Sequence, residues 1–169
     1  MARLARRQAA LRRWLCAGAA ALALAAPLPA AADVATPGPL TLGDFQVAAA
    51  ATQTGTPVTN LQGLTALSCQ ARFFYGSGGT QTNVFIQTSL DQGQSWFDIA
   101  NIEFTTSSGI EAINLSGLNS VTTPTAPQNL ALSNNTTFNG PLGDRLQAVV
   151  VSTGTYGSNT LASVRCNAR

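Results

Sequence analysis

From residue 64 to residue 75 apolar and polar side chains alternate: Leu67, Cys69, Ala71 and Phe73 fall on one face, Ser68, Gln70 and Arg72 on the other. Successive side chains of an extended chain point to opposite faces, so this run predicts a half-buried β-strand. Gly76-Ser77-Gly78-Gly79 breaks it. Residues 83–90 place Val84, Ile86, Thr88 and Leu90 on one face, Asp91-Gln92-Gly93-Gln94 reads as a turn, and residues 96–106 read as the returning strand of a hairpin. Residues 110–115 predict another short strand. Residues 145–153, with Ala148-Val149-Val150-Val151 at their centre, carry the strongest β signal, and a turn over 154–159 leads into a last strand at 160–168. The first strand is placed at residues 45–51.

The elements expected are thus about seven strands. No helical period of useful length and no internal repeat interrupts them. Short strands joined by turns predict an all-β fold, an antiparallel two-sheet sandwich of jelly-roll or immunoglobulin-like type. Residues 119–141, rich in Thr, Asn and Pro, read as a long polar loop. Its few apolar residues predict little contribution to stability.

Residues 1–32 stand apart. Arg3, Arg6, Arg7, Arg12 and Arg13 precede an apolar run from Trp14 to about Ala26, Pro27 and Pro29 follow, and Ala30-Ala31-Ala32 offers a small-residue cleavage site. Two readings stand open: a secretory signal, giving a periplasmic or secreted protein, or a spurious extension upstream of the true start. The run is too short for a membrane span, so none is expected in the mature chain. The organisation expected is the leader at 1–32, an extended lead-in at 33–43 and a β-sandwich domain at 44–169.

Charge changes the picture further. Residues 33–169 hold four arginines and seven acids, a formal −3, with no Lys and no His. Nucleic acid is therefore not an expected partner. Most acid–base chemistry at neutral pH leans on His or on a shifted Lys, so a hydrolytic triad, a Ser–Lys dyad and a His-based metal site are excluded there. No cofactor is implied. Only 9% of the chain is charged, against about a quarter in ordinary globular proteins, and the balance suits a protein outside the cytosol or inside a larger assembly.

Ser89-Leu90-Asp91-Gln92-Gly93-Gln94-Ser95-Trp96 matches the Asp-box pattern, a hairpin motif. Ser89, Asp91, Gly93, Ser95 and Trp96 are its structural residues. The Asp91 carboxylate can accept backbone N–H groups across the turn, Gly93 can take a positive φ, and Trp96 can cover the base. Sialidases and other β-propellers repeat the motif once per blade. Here it occurs once, in a body too short for a propeller, so no glycosidase is expected. Asp98, Glu103 and Glu111 read as solvated carboxylates, since no calcium-loop spacing joins them. Gly76–Thr80 lacks the lysine and the helix of a phosphate loop. Cys69 and Cys166 each lie on an apolar strand face. They are either a disulfide closing a loop of nearly a hundred residues, worth ~4–5 kcal/mol in the chain-entropy model, or two buried thiols. Arg145, after Asp144, is expected to meet a carboxylate at the sheet rim.

The segments Gln70–Thr80, Gln87–Asp91, Trp96–Ala100, Leu115–Leu118, Leu142–Arg145 and Gly154–Tyr156 follow one another in an order that resembles a group of small proteins encoded in tailed bacteriophages and prophages. Those lie among virion structural genes and mostly carry no assigned activity. The resemblance spans roughly residues 55–169. It implies a non-enzymatic β-domain that assembles with its own copies or with other head or tail proteins, in the virion if the leader is spurious, and it supplies no catalytic residues. Arg145, Tyr75 and Tyr156 are the candidate partner contacts. A second expectation is an exported surface or carbohydrate-binding module, with glycan as partner, stacking on Phe74, Tyr75, Trp96 or Tyr156.

Overall fold

The computed structural model describes residues 38–123, 125, 126 and 128–169. The leader at 1–32 and the first five residues of the expected lead-in lie outside the described residues. Among the described residues the protein is all β, with no helix. Eleven strands follow in order: β1 Pro39–Gln46, β2 Ala51–Thr54, β3 Ala66–Phe74, β4 Ser77–Gly78, β5 Gln81–Ser89, β6 Phe97–Phe104, β7 Gly109–Ser116, β8 Thr136–Thr137, β9 Arg145–Thr153, β10 Tyr156–Gly157 and β11 Leu161–Ala168. They form a four-stranded sheet ordered β1-β11-β3-β7, a five-stranded sheet ordered β2-β9-β5-β6-β8, and a small β10-β4 pair. Every pairing is antiparallel.

The extra strands over the seven expected are short. β4, β8 and β10 have two residues each and β2 has four. They sit in segments whose Gly, Asn and Pro content conceals so brief a pairing.

The alternation of residues 64–75 appears in β3, where Leu67, Cys69, Ala71 and Phe73 are buried and Ser68, Gln70, Arg72 and Phe74 are exposed. They face Val84 and Ile86 of β5, Ala100, Ile102 and Phe104 of β6, and Leu146, Ala148 and Val150 of β9 in one apolar core. Phe73 and Phe104 stack with ring centroids 5.2 Å apart. Burying side chains of this size stabilises by about 1.5–3 kcal/mol each.

The start of the domain differs from expectation. Pro39–Gly43, read as part of the lead-in, already belong to β1 beside β11, and of the segment read as the first strand, Phe45 and Gln46 end β1, residues 47–50 cross over and Ala51 opens β2. A bulge between Thr41 and Gly43 is the reason. It puts the buried Leu42 and Phe45 three residues apart instead of two, which hides the strand from a period-two reading.

β5 also departs from a one-faced strand. Val84 and Ile86 face the core, while Phe85 and Gln87 on its opposite face are buried as well. Residues 130–134, within the expected 119–141 loop, lie over that second face. Asn101 of β6 donates to the Leu132 carbonyl at 2.7 Å, and Asn83 of β5 donates to Asn134 Oδ1 at 3.3 Å. The same loop contributes β8, which extends the sheet beside β6.

Candidate functional site

The hairpin joining β5 to β6 is closed by its own side chains. Asp91 Oδ1 accepts from the Ser95 N–H at 2.8 Å and from the Ser89 hydroxyl at 2.9 Å, while Oδ2 accepts from the Ser95 hydroxyl at 2.6 Å. Ser89 Oγ in turn accepts from the Gly93 N–H at 2.7 Å. Gln92 and Gly93 hold positive φ values of 60° and 92°, the second cheap only for glycine. Hydrogen bonds from the Ser95 hydroxyl first, then from its N–H and from Ser89, favour the charged carboxylate and outweigh its partial desolvation. They bring the Asp91 pKa from 3.8 down to about 2. Trp96 is half-buried, and its ring and the Arg145 guanidinium both lie beside Gly93.

A second polar construction lies behind the hairpin on the outer face of the five-stranded sheet. Gln147 Nε2 donates to Gln87 Oε1 at 2.7 Å, and Gln87 Nε2 donates to Asp98 Oδ1 at 2.7 Å. The Asp98 carboxylate then accepts the backbone N–H groups of Leu130, Ala131 and Leu132 at 3.2, 2.9 and 3.2 Å. Gln87 and Asp98 are 1% and 2% exposed. The reading of Asp98 as a solvated carboxylate is therefore corrected: it is buried and holds residues 130–132 of the expected loop against the sheet. Burial of this polar group is tolerable because four donors satisfy its oxygens. The low weight given to that loop is corrected on the same ground. The signal was present in the hairpin register, which sets Gln87 opposite Asp98.

Cys69 and Cys166 sit directly opposite each other in β3 and β11, with Cα atoms 4.0 Å apart, and are joined as a disulfide. Arg145 approaches Asp144, Nε to Oδ2, at 3.7 Å. Of the aromatic candidates, Tyr156 is unsuited to partner contact. It is 5% exposed, packs edge-on against Phe73, lies over Gly79 and shares a 3.0 Å hydrogen bond with Thr82. The polar ends of the turn around it conceal that core role. Tyr75 is half-buried and donates its hydroxyl to the Gly78 carbonyl at 2.9 Å. Phe74 alone of the four stacking candidates is exposed.

Phe74 belongs to a feature the sequence reading did not assemble. It lies opposite Leu161 in the β3–β11 register, and Ile110 lies opposite Arg72 in the β3–β7 register. Phe74, Leu161 and Ile110 are 54%, 41% and 59% exposed on the outer face of the four-stranded sheet. Arg72 stands among them, two residues from Phe74 on the same face. No cluster of three or more His, Cys, Asp or Glu side chains that could hold a metal ion occurs among the described residues. No helix there is long and apolar enough to cross a membrane. No protein-family model matches the chain, and no curated protein is significantly similar to it.

Proposed function

We propose that this chain is a non-enzymatic assembly protein acting through protein–protein contacts, in the manner of the phage or prophage virion components its motifs resemble. The observation that carries this reading is the uncovered apolar patch of Phe74, Leu161 and Ile110. Water-exposed apolar side chains gathered on one sheet face mark a surface that gains free energy when covered. Asp91 and Asp98, the carboxylates with the densest surroundings, are spent on holding a turn and a loop, which supports a scaffold role over a reactive one. Like copies packing through such faces would form a symmetric homo-oligomer or join other virion proteins.

The disulfide favours a second reading, export to the bacterial surface as a glycan-binding module, because such bonds persist in oxidising compartments. Phe74 would then be the stacking platform. Both readings are separated by light scattering and glycan binding on the wild type and on the Phe74→Asp/Leu161→Asp variant, whose exposed sites leave the fold intact. The assembly reading expects an oligomer that falls to a monomer in the variant. A wild-type monomer at every concentration that binds glycans would replace it with the second reading.

A further inference from the structure

Among the described residues six large apolar side chains stand exposed: Phe74, Leu90, Ile110, Leu118, Val121 and Leu161. They fall into two groups. Phe74, Ile110 and Leu161 form the patch on the outer face of the four-stranded sheet. Leu90 and Val121, 56% and 45% exposed, line a groove of about 300 Å³ with Phe97, Phe138 and Pro141, and Leu118 precedes Val121 by three residues. Threonines complete the lining, and no charged side chain takes part. Cavities of this size already take small ligands, so the ring of a phenylalanine has room.

The two groups lie at opposite ends of the sandwich. β3 runs from Ala66, opposite Ser116 of β7, to Phe73, opposite Gly109. Phe74 and Ile110 sit at the second end, where Leu161 pairs with Phe74. The groove sits beyond the first, because Val121 packs beside Gly140, whose N–H donates to the Ser116 carbonyl. From Ile110 to Ser116 the extended chain spans about 20 Å.

Charge separates the groups as well. Arg72, in the patch, forms no ion pair among the described residues. Asp44, the one acid on that outer face among the described strands, is held by Arg165 at 2.9 and 2.8 Å. Two patches set face to face would bring cations together without a free carboxylate, and would leave both grooves in water. At the groove, Leu90 is followed by Asp91, whose carboxylate has no ion-pair partner among the described residues. A patch seated in the groove of another copy covers both apolar surfaces and sets an unpaired cation against a surface flanked by an unpaired anion.

We propose that the outer-face patch of one copy of this chain seats in the end groove of the next, head to tail. The contact joins two different surfaces, so its repetition closes into a ring or runs on as a filament. The inference rests on the assembly reading and specifies its partner, a second copy, and the surface that receives it.

The test mixes two variants. Phe74→Asp/Leu161→Asp removes the patch and keeps the groove, whereas Leu90→Gln/Val121→Asp removes the groove and keeps the patch. All four sites are exposed, and circular dichroism checks that both variants stay folded. In sedimentation the wild type is expected to form rings or filaments, and each variant alone to run as a monomer. Their equimolar mixture should give a species of twice the monomer mass that grows no further, because each pair holds one intact junction. A groove variant that stays dimeric would show patch-to-patch pairing and overturn the proposal, while the assembly reading stands. So would a patch variant that still associates, or two folded monomeric variants that do not combine. A wild type that stays monomeric at every concentration also overturns the proposal, and the assembly reading falls with it where that monomer binds glycans.

Discussion

Asp91 shows what a single carboxylate does in this protein. Its oxygens are engaged by Ser89 and Ser95, and its pKa of about 2 lies below the ordinary 3.8. A group whose folded pKa is depressed adds stability above its unfolded pKa and loses that stability as pH falls through the folded one. The hairpin contribution is therefore complete at neutral pH and disappears between about pH 4 and pH 2. Removing the Ser95 hydroxyl, the largest cause of the shift, raises the pKa. Carboxyl-carbon NMR titration should find Asp91 of Ser95→Ala nearer the ordinary value than in the wild type. An unchanged titration would mean that the hydroxyl bond is not what holds the carboxylate charged. The spacing Ser-x-Asp-x-Gly-x-Ser-Trp made this turn legible in the sequence, because all its partners lie within a few residues. Tyr156 was not legible: its burial depends on Phe73, Gly79 and Thr82, all distant in the chain.

The elements divide in the same way. β3, β7, β9 and β11 follow from alternation and β-branched content, and β9 begins and ends at the residues expected. β1 was obscured by its bulge, and the 119–141 loop by composition. Polar content made that loop look dispensable, whereas a polar loop can be fixed by polar anchors. Asp98 is that anchor. In Asp98→Ala three backbone N–H groups and Gln87 Nε2 lose their acceptor, and the cost expected is about 3 kcal/mol. Denaturant unfolding checks the loss, and hydrogen exchange should show protection falling at Leu130, Ala131 and Leu132. A stability change within ~0.5 kcal/mol, the range of ordinary surface substitutions, would show that the loop is held by something other than this carboxylate. The pairing of Cys69 with Cys166 was open in the sequence for a related reason: alternation gives the face of each cysteine, and only the β3–β11 register sets them opposite each other.

At the scale of the whole molecule, two packed sheets enclose one apolar core, the best-anchored acids serve internal order, and the outer face of the four-stranded sheet keeps Phe74, Leu161 and Ile110 in water. Sheet class followed from local pattern, but this patch did not, since its three residues come from β3, β7 and β11 and meet only through strand order. The central claim is that the molecule exists to be packed into a larger particle. It is tested most directly by density-gradient separation of lysed cells that carry the gene, with mass spectrometry of each fraction. The account predicts peptides from residues 38–169 in a dense particle fraction together with other structural proteins. Their confinement to soluble or envelope fractions, with none in any particle, would contradict it.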